Sequence, residues 1–298
     1  MASESMCGTL SIMESAKPTA VLPTVSFGPH DITRLIIGGN PFHGNSHFST
    51  EMNLDMADYY TVERVVETLH RAEAAGINTV QNRGDYRVMN WLELFRREGG
   101  RLNWIAQTAS EMDDVFQNIR VIHAAGAIGI YMHGSKMDEW WERGEIEEAV
   151  DYMKLIRDLG LQVGLAAHRP EIIEYGEEHS WDVDFYMACL YNIARKEGRQ
   201  SAIVSGQTDY WPEPFLDEDP FRMCATIRAT EKTCIAFKIL GAARRCRTQE
   251  DVAAAFQFAF DNIKDKDLVN VGMFPKYVDQ PRLNVEHTCR ALGVSAET

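Results

Sequence analysis

Polar and ionisable side chains follow several short apolar runs of this sequence, and they are of the types that perform acid–base and covalent chemistry. The stretch GINTVQNRGDY, residues 76–86, has a β-branched centre and then ends in amide, guanidinium, carboxylate and phenol groups. Other apolar runs end in the same way. The polar residues at or near their ends are Asn40, His43, Gln107, His133, His168, Tyr191, Asn192, Lys238 and Lys276.

Lys238 lies inside the apolar run CIAFKIL. A lysine in such a run either points into a polar cavity or loses much of its solvation energy. In a cavity it can bind a phosphate or carboxylate, or form a Schiff base with a carbonyl substrate if its pKa is lowered. The alternative is a structural lysine that pairs with a carboxylate at a strand end.

Four segments have the apolar spacing of amphipathic helices, at i, i+3, i+4 and i+7. The first has Thr61 as a predicted N-cap and Gly76 just past its end, and the second has a predicted capping arrangement at Ser110 and Asp113. The four segments are residues 61–76, 110–126, 145–160 and 248–263.

Short runs that are apolar on both faces alternate with the helical segments, as in a buried parallel sheet. The eight runs are RLIIGGN, NTVQN, NWIAQT, IGIYMHG, QVGLAAH, FYMACLYN, TCIAFKI and LVNVGMF. This alternation predicts a single (β/α)8 TIM barrel. An open doubly wound sheet is the alternative, and the lack of a GxGxxG loop after any run disfavours it.

Two extended runs around Gly28-Pro29 precede the first barrel strand and predict an N-terminal hairpin. The predicted organisation is a flexible tail over residues 1–24 and one barrel domain over residues 25–298. In such a barrel the carboxyl ends of the strands form the active site. We therefore expect a shared catalytic cavity, to which His43 also contributes. Its predicted catalytic residues are Tyr86, His133, His168, Lys238, Gln107 and Asp85.

The composition limits the partners. The chain has 298 residues, with 30 basic against 44 acidic side chains and a formal charge of −14, which disfavours nucleic acid and anionic membranes as partners. A small anionic substrate is still compatible, because it needs only a few local cations. The six cysteines form no CxxC pair, and no apolar run reaches the roughly 18 residues of a membrane span. A cytoplasmic protein with a small-molecule substrate is expected.

The hairpin and the segment AEAAGINTVQNRGDY resemble the opening of the aldo/keto reductases, NADP-linked barrel enzymes whose second strand reads Gly-Ile-Asn and is followed by a tyrosine. The match holds at Gly76, Ile77, Asn78 and Tyr86 without gaps. The histidine of YMHGS, His133, is at the position of the family's strand-four histidine.

The family's catalytic set is Asp, Tyr, Lys and His, and the resemblance carries over only Tyr86 and His133. Gln81 replaces the aspartate and Gln107 replaces the lysine. In the family, the lysine supported by the aspartate lowers the pKa of the phenol. Two neutral amides do not supply that field, so the tetrad is degenerate.

The resemblance also implies where NADP would bind, because GMFPKYVDQPRLNVE is similar to the family's cofactor-contacting strand-eight segment. The predicted cofactor-binding residues are Arg244, Lys276, Arg282 and Asn284, with Arg245 as a further cation. The function predicted first is oxidoreduction of a small carbonyl compound or carbohydrate.

A lyase, isomerase or hydrolase that acts on a sugar or polyol is the second hypothesis. In it, His43, Asp85, His133 and His168 act as acid and base or hold a divalent metal. Trp140-Trp141 and the segment TDYWPEPF, residues 208–215, are candidate stacking platforms for sugar rings. A non-catalytic, ligand-binding barrel is the third hypothesis.

Overall fold

The computed structural model of the protein describes residues 21–110, 112–195 and 213–294. The predicted tail therefore lies outside the described residues as far as residue 20. Of its last four residues, Leu22 is already buried in the core and Thr24 begins the first strand.

The described residues form ten strands, of which eight close a parallel barrel in the order β10-β3-β4-β5-β6-β7-β8-β9. The first two form an antiparallel hairpin. The predicted (β/α)8 barrel with an N-terminal hairpin is therefore confirmed. The strands are β1 Thr24–Phe27, β2 His30–Thr33, β3 Leu35–Gly38, β4 Thr79–Arg83, β5 Asn103–Gln107, β6 Gly129–Met132, β7 Gln162–Ala167, β8 Phe185–Cys189, β9 Thr233–Phe237 and β10 Leu268–Gly272.

The α-helices pack around the barrel, and short 3-10 helices occupy Asn40–His43 and Ile146–Glu148. In the described ranges the α-helices are α1 Thr50–Tyr59, α2 Val62–Ala74, α3 Tyr86–Arg97, α4 Val115–Ala124, α5 Gly134–Arg143, α6 Ala149–Asp158, α7 Pro170–Glu178, α8 Asp219–Ala229, α9 Gln249–Asn262 and α10 Gln280–Ala291. None of them combines the length and the apolar character needed to cross a bilayer.

Side-chain caps fix several helix starts. Thr61 caps α2 as predicted. The predicted start of α4 at Ser110 and Asp113 is wrong, because the helix begins at Val115 and the Asp114 carboxylate accepts the cap hydrogen bond from the Gln117 amide at 2.8 Å.

The hairpin packs against the amino-terminal end of the barrel. Phe27 contacts Phe185 of β8 edge-to-face, with ring centroids 4.9 Å apart. Asn78, at the start of β4, accepts a hydrogen bond from the Thr33 amide at 2.9 Å and donates one to the Asp31 carbonyl at 2.9 Å. The Gly-Ile-Asn motif thus joins the hairpin to the barrel, which is a scaffold role.

Side chains that point into the barrel change from apolar to polar along the strands. A lower apolar cluster of Ile36, Ile105, Phe185, Ile235 and Leu268 packs with the hairpin. Two residues further along, β5 and β10 carry the polar Gln107 and Asn270, whereas Met187 and Phe237 keep β8 and β9 apolar. The amino-terminal part of the barrel interior is therefore apolar, and the polar side chains lie at its carboxyl-terminal end.

Candidate active site

A cavity of about 1270 Å³ opens at the carboxyl ends of the barrel strands. It brings together most of the residues predicted for the mouth. Those that line it are His43, Gln107, His133, His168 and Lys238, and Gln81, Arg83, Tyr131, Asn270, His47 and Glu213 line it as well.

Lys238 reaches the cavity through an unusual backbone conformation. Phe237, the last residue of β9, packs inside the barrel, so strand alternation would turn Lys238 outward. Instead Lys238 has φ +58° and its side chain lines the cavity. The described residues supply no ion pair or hydrogen bond to its ammonium group. Burial lowers the pKa of this lysine, and Glu213 opposes the lowering.

His168 forms a buried hydrogen bond with a carboxylate that was not predicted from the sequence. Its Nδ1 lies 2.6 Å from Oδ2 of Asp138 on α5, and both residues are 7% exposed. Gly134 gives the ring its space, because a Cβ at that position would lie 3.1 Å from His168 Cε1. The sequence did contain a signal for this pair, since Asp138 is a carboxylate on the buried face of α5.

His133 is fixed at the start of α5. Its Nδ1 lies 2.9 Å from the Ser110 hydroxyl, and its backbone amide donates to Thr108 Oγ1 at 3.1 Å. Burial lowers the pKa of His133 to about 4, with smaller contributions from His168 and Arg83. His133 is therefore neutral at pH 7 and able to bind a substrate by a hydrogen bond.

A second unpredicted pair closes one side of the mouth. His47 Nδ1 lies 2.8 Å from the Glu213 carboxylate, and its Nε2 lies 3.1 Å from the Asn40 amide nitrogen. Burial opposes ionisation of Glu213, but His47 and then Lys238 hold its pKa below the usual range. His47 and Glu213 belong to the two long connections, after β3 and after β8.

His43 stands on the other side of the mouth, where its position is fixed by neighbours. Its Nε2 lies 2.9 Å from Asn82 Oδ1, and its ring stacks obliquely on Trp91 at 5.3 Å. Burial lowers the pKa of His43.

A chain of hydrogen bonds crosses the cavity floor. The Asn270 amide donates to Gln81 at 2.9 Å, Gln81 donates to the Tyr131 hydroxyl at 2.7 Å, and that hydroxyl donates to Gln107 Oε1 at 3.2 Å. Burial raises the pKa of Tyr131, so this phenol stays protonated. The phenol between the two amides is thus Tyr131 and not Tyr86.

Two predicted catalytic residues do not line the cavity. Tyr86 is 64% exposed at the first position of α3. Asp85 caps that helix by accepting from the Val88 amide at 2.9 Å, and its other oxygen accepts from Arg83 Nε at 3.0 Å. The helix cap explains this placement, because the chain turns outward immediately after β4.

Arg244, predicted to bind a cofactor phosphate, packs into the loop structure. Its guanidinium lies 3.8 Å from the centre of the Phe215 ring and donates to the His47 carbonyl at 3.1 Å. Arg244 thus joins the two long connections over the mouth.

The other predicted cofactor residues lie around β10 and α10. Lys276 forms an ion pair with Asp55, and Arg282 forms one with Glu286. Asn284 is buried and lines the cavity. The three cations of this predicted set, Arg244, Lys276 and Arg282, do not converge on one phosphate-sized site.

The candidate stacking aromatics pack within the fold. Trp140 is buried with its ring parallel to Tyr152, and Trp141 packs against the core, so neither lines the cavity. Tyr210 and Trp211 lie outside the described residues.

In the second hypothesis, His43, Asp85, His133 and His168 act as acid and base or hold a divalent metal. In the three described ranges, no three His, Cys, Asp or Glu side chains are arranged to hold a metal ion. These four residues therefore do not fit a metal centre.

Comparison with known proteins gives a likeness of fold. No family model and no curated protein matches the sequence. Among solved structures, an aldo/keto reductase from Brucella melitensis matches with a TM-score of 0.51 at 9% identity, over 93% of this chain and 96% of that one. The apo form of Gox0644 matches at 0.53 with 10% identity, over 93% and 90% of the two chains.

A solved complex matches at a similar level. The BexX/CysO complex of Amycolatopsis orientalis has a TM-score of 0.52 at 12% identity, over 91% of this chain and 94% of that one. The chain therefore has the barrel fold found in aldo/keto reductases and in related TIM barrels.

Proposed function

We propose that this protein is a lyase or isomerase in which Lys238 forms an imine with the carbonyl group of a small substrate. The observation that carries this proposal is the left-handed backbone of Lys238, which turns its amine into the cavity that His168 also lines. A non-glycine residue held in this conformation costs about 1–3 kcal/mol and occurs preferentially at functional sites.

The lowered pKa of Lys238 supports a nucleophilic role, because a larger fraction of the amine is neutral at a given pH. The neutral amine attacks the carbonyl carbon and forms a carbon–nitrogen bond. The carbonyl oxygen takes up protons and leaves as water. The resulting iminium withdraws electrons from the adjacent carbon and makes its proton acidic.

The Asp138–His168 pair suits the removal of that proton. Asp138 accepts a hydrogen bond from Nδ1–H of His168. The Nε2 atom therefore keeps its lone pair, and His168 can act as a general base. Returning the proton to the opposite face of the same carbon inverts its configuration and gives an isomer, and loss of a substituent from the next carbon gives an elimination; water then hydrolyses the imine and frees Lys238. Both outcomes balance without an external oxidant or reductant.

Oxidoreduction with NADP is the second candidate, favoured by the fold shared with aldo/keto reductases. Its phenol donor is not supported, because Tyr86 is exposed and Tyr131 is held between two neutral amides. The predicted phosphate ligands also do not converge, so no step is derived through a nicotinamide.

The proposal is tested by deuterium exchange into dihydroxyacetone, followed by NMR in D₂O. The wild type is expected to exchange the protons next to the carbonyl faster than buffer does, and Lys238→Met is expected to exchange at the buffer rate. Titration with NADPH while following tryptophan fluorescence tests the second candidate in parallel. Quenching by NADPH without exchange of the ketone protons would favour the reductase.

A further inference from the structure

We infer that the substrate also carries an anionic group, a carboxylate or a phosphate, which binds to Arg83, Gln107 and His133 on the barrel wall that faces Lys238. This inference rests on the proposed function, because it assumes that the carbonyl end of the substrate lies at Lys238.

The three residues form one continuous wall. Arg83 of β4 and Gln107 of β5 are register partners on neighbouring strands. Gln107 pairs in turn with Tyr131 of β6, and His133 follows Tyr131 two residues later on the same face. All three side chains line the cavity.

This wall lies across the barrel from Lys238. The barrel closes in the order β3 to β10, so β5 is four strands away from β9 in either direction. A substrate with its carbonyl at Lys238 therefore presents its far end to Gln107 and its neighbours.

The hydrogen bonds of the cavity floor decide which end of the Gln107 side-chain amide faces the cavity. All hydrogen bonds of this chain run in one direction: Asn270 donates to Gln81, Gln81 donates to Tyr131, and Tyr131 donates to Gln107 Oε1. Since its oxygen accepts from Tyr131, Gln107 presents its NH₂ group, a donor, to the cavity.

The charges around the cavity agree with an anion at this wall. Arg83 supplies a guanidinium, which also forms an ion pair with Asp85 through Nε at 3.0 Å. Among the described residues, the carboxylates that line the cavity are Glu51 and Asp55 of α1 and Glu213 before α8, which lie on other elements than β4, β5 and β6. The Arg83 guanidinium, the Gln107 NH₂ group and the neutral His133 ring together suit an anionic substituent in a protein with a formal charge of −14.

The test measures binding of inorganic phosphate and of acetate by calorimetry, as separate probes for a phosphate and a carboxylate. Gln107→Glu and Arg83→Gln are each expected to weaken the preferred anion roughly tenfold or more, the loss of one charge-assisted hydrogen bond. Gln117→Glu, the same charge change on an exposed position of α4, is the control and is expected to leave binding unchanged.

Failure of this inference is distinguishable from failure of the proposed function. Neutral dihydroxyacetone lacks the anion, so its exchange in the wild type reports on Lys238 without the anion site. Exchange by the wild type, together with undiminished anion binding in both variants or with no binding of either anion by the wild type, overturns the anion site alone. Weakened anion binding with no exchange in the wild type overturns the Lys238 proposal alone.

Discussion

Asp138 Oδ2 lies 2.6 Å from His168 Nδ1, and both side chains are buried against the cavity wall. The carboxylate thereby fixes the proton on Nδ1 and leaves Nε2 as the basic nitrogen. The pair is formed by a helix and a strand end that are 30 residues apart in sequence.

Asp138→Asn is expected to lower the rate of deuterium exchange into dihydroxyacetone by about 10²–10⁴-fold, because the amide no longer enforces the required tautomer. Asp158→Asn breaks only an exposed ion pair with Lys154 and serves as the control. Unchanged exchange in Asp138→Asn would remove His168 from the proposed base role.

Gly134→Ala is expected to displace the His168 ring by a few tenths of an ångström, because the new Cβ would lie 3.1 Å from Cε1. Exchange should fall roughly tenfold through this misplacement, while helix α5 is not destabilised, since alanine is the better helix former. Gly176→Ala in α7 meets only ordinary contacts, the nearest at 3.4 Å, and should change stability without changing exchange. Equal exchange rates in the two variants would contradict the tight fit.

Lys238→Gly is expected to raise the free energy of unfolding by roughly 1 kcal/mol while abolishing exchange, because glycine adopts a positive φ without strain. Ser180→Gly is the matched control, since Ser180 has φ +53° on the exposed turn after α7. It should be stabilised similarly and keep its exchange rate. Urea denaturation measures the free energy of unfolding of the two variants. A Lys238→Gly variant that is less stable than the wild type would argue against a strained lysine.

The burial of His133 should make the free energy of unfolding depend on pH. Its pKa is about 4 in the folded protein against 6.5 when unperturbed, so between these values the unfolded chain binds more protons. Stability should therefore fall as the pH drops from 6.5 towards 4, by up to about 3 kcal/mol for this residue.

His133→Asn removes this contribution while the other buried histidines remain. The difference in unfolding free energy between variant and wild type, measured in urea from pH 7.5 to 4.5, should therefore shift in favour of the variant on acidification. Parallel curves for the two proteins would show that His133 is not buried as a neutral ring.

The sequence predicts the barrel well because its signals are local. Apolar runs alternate with helical periodicity, and glycines such as Gly76, with φ +100°, mark the ends of helices. The mouth residues Gln107, His133, His168 and Lys238 follow from the same pattern, because all strands of a parallel barrel end on one side.

The partners of those residues are distant in sequence, so no local pattern predicts them. Asp138 comes from a helix, and Glu213 meets His47 across 166 residues. Tyr86 matches the motif, but Asp85 caps a helix that begins at Tyr86, and the phenol lies in solvent outside the cavity.

Reductive trapping tests the central claim most directly. The wild type is incubated with dihydroxyacetone and sodium borohydride, which adds hydride to an imine carbon and fixes the substrate as a secondary amine. Peptide mapping by mass spectrometry should locate the adduct on Lys238, and Lys238→Met should acquire none. No adduct in the wild type, or an adduct confined to other lysines, would contradict the claim.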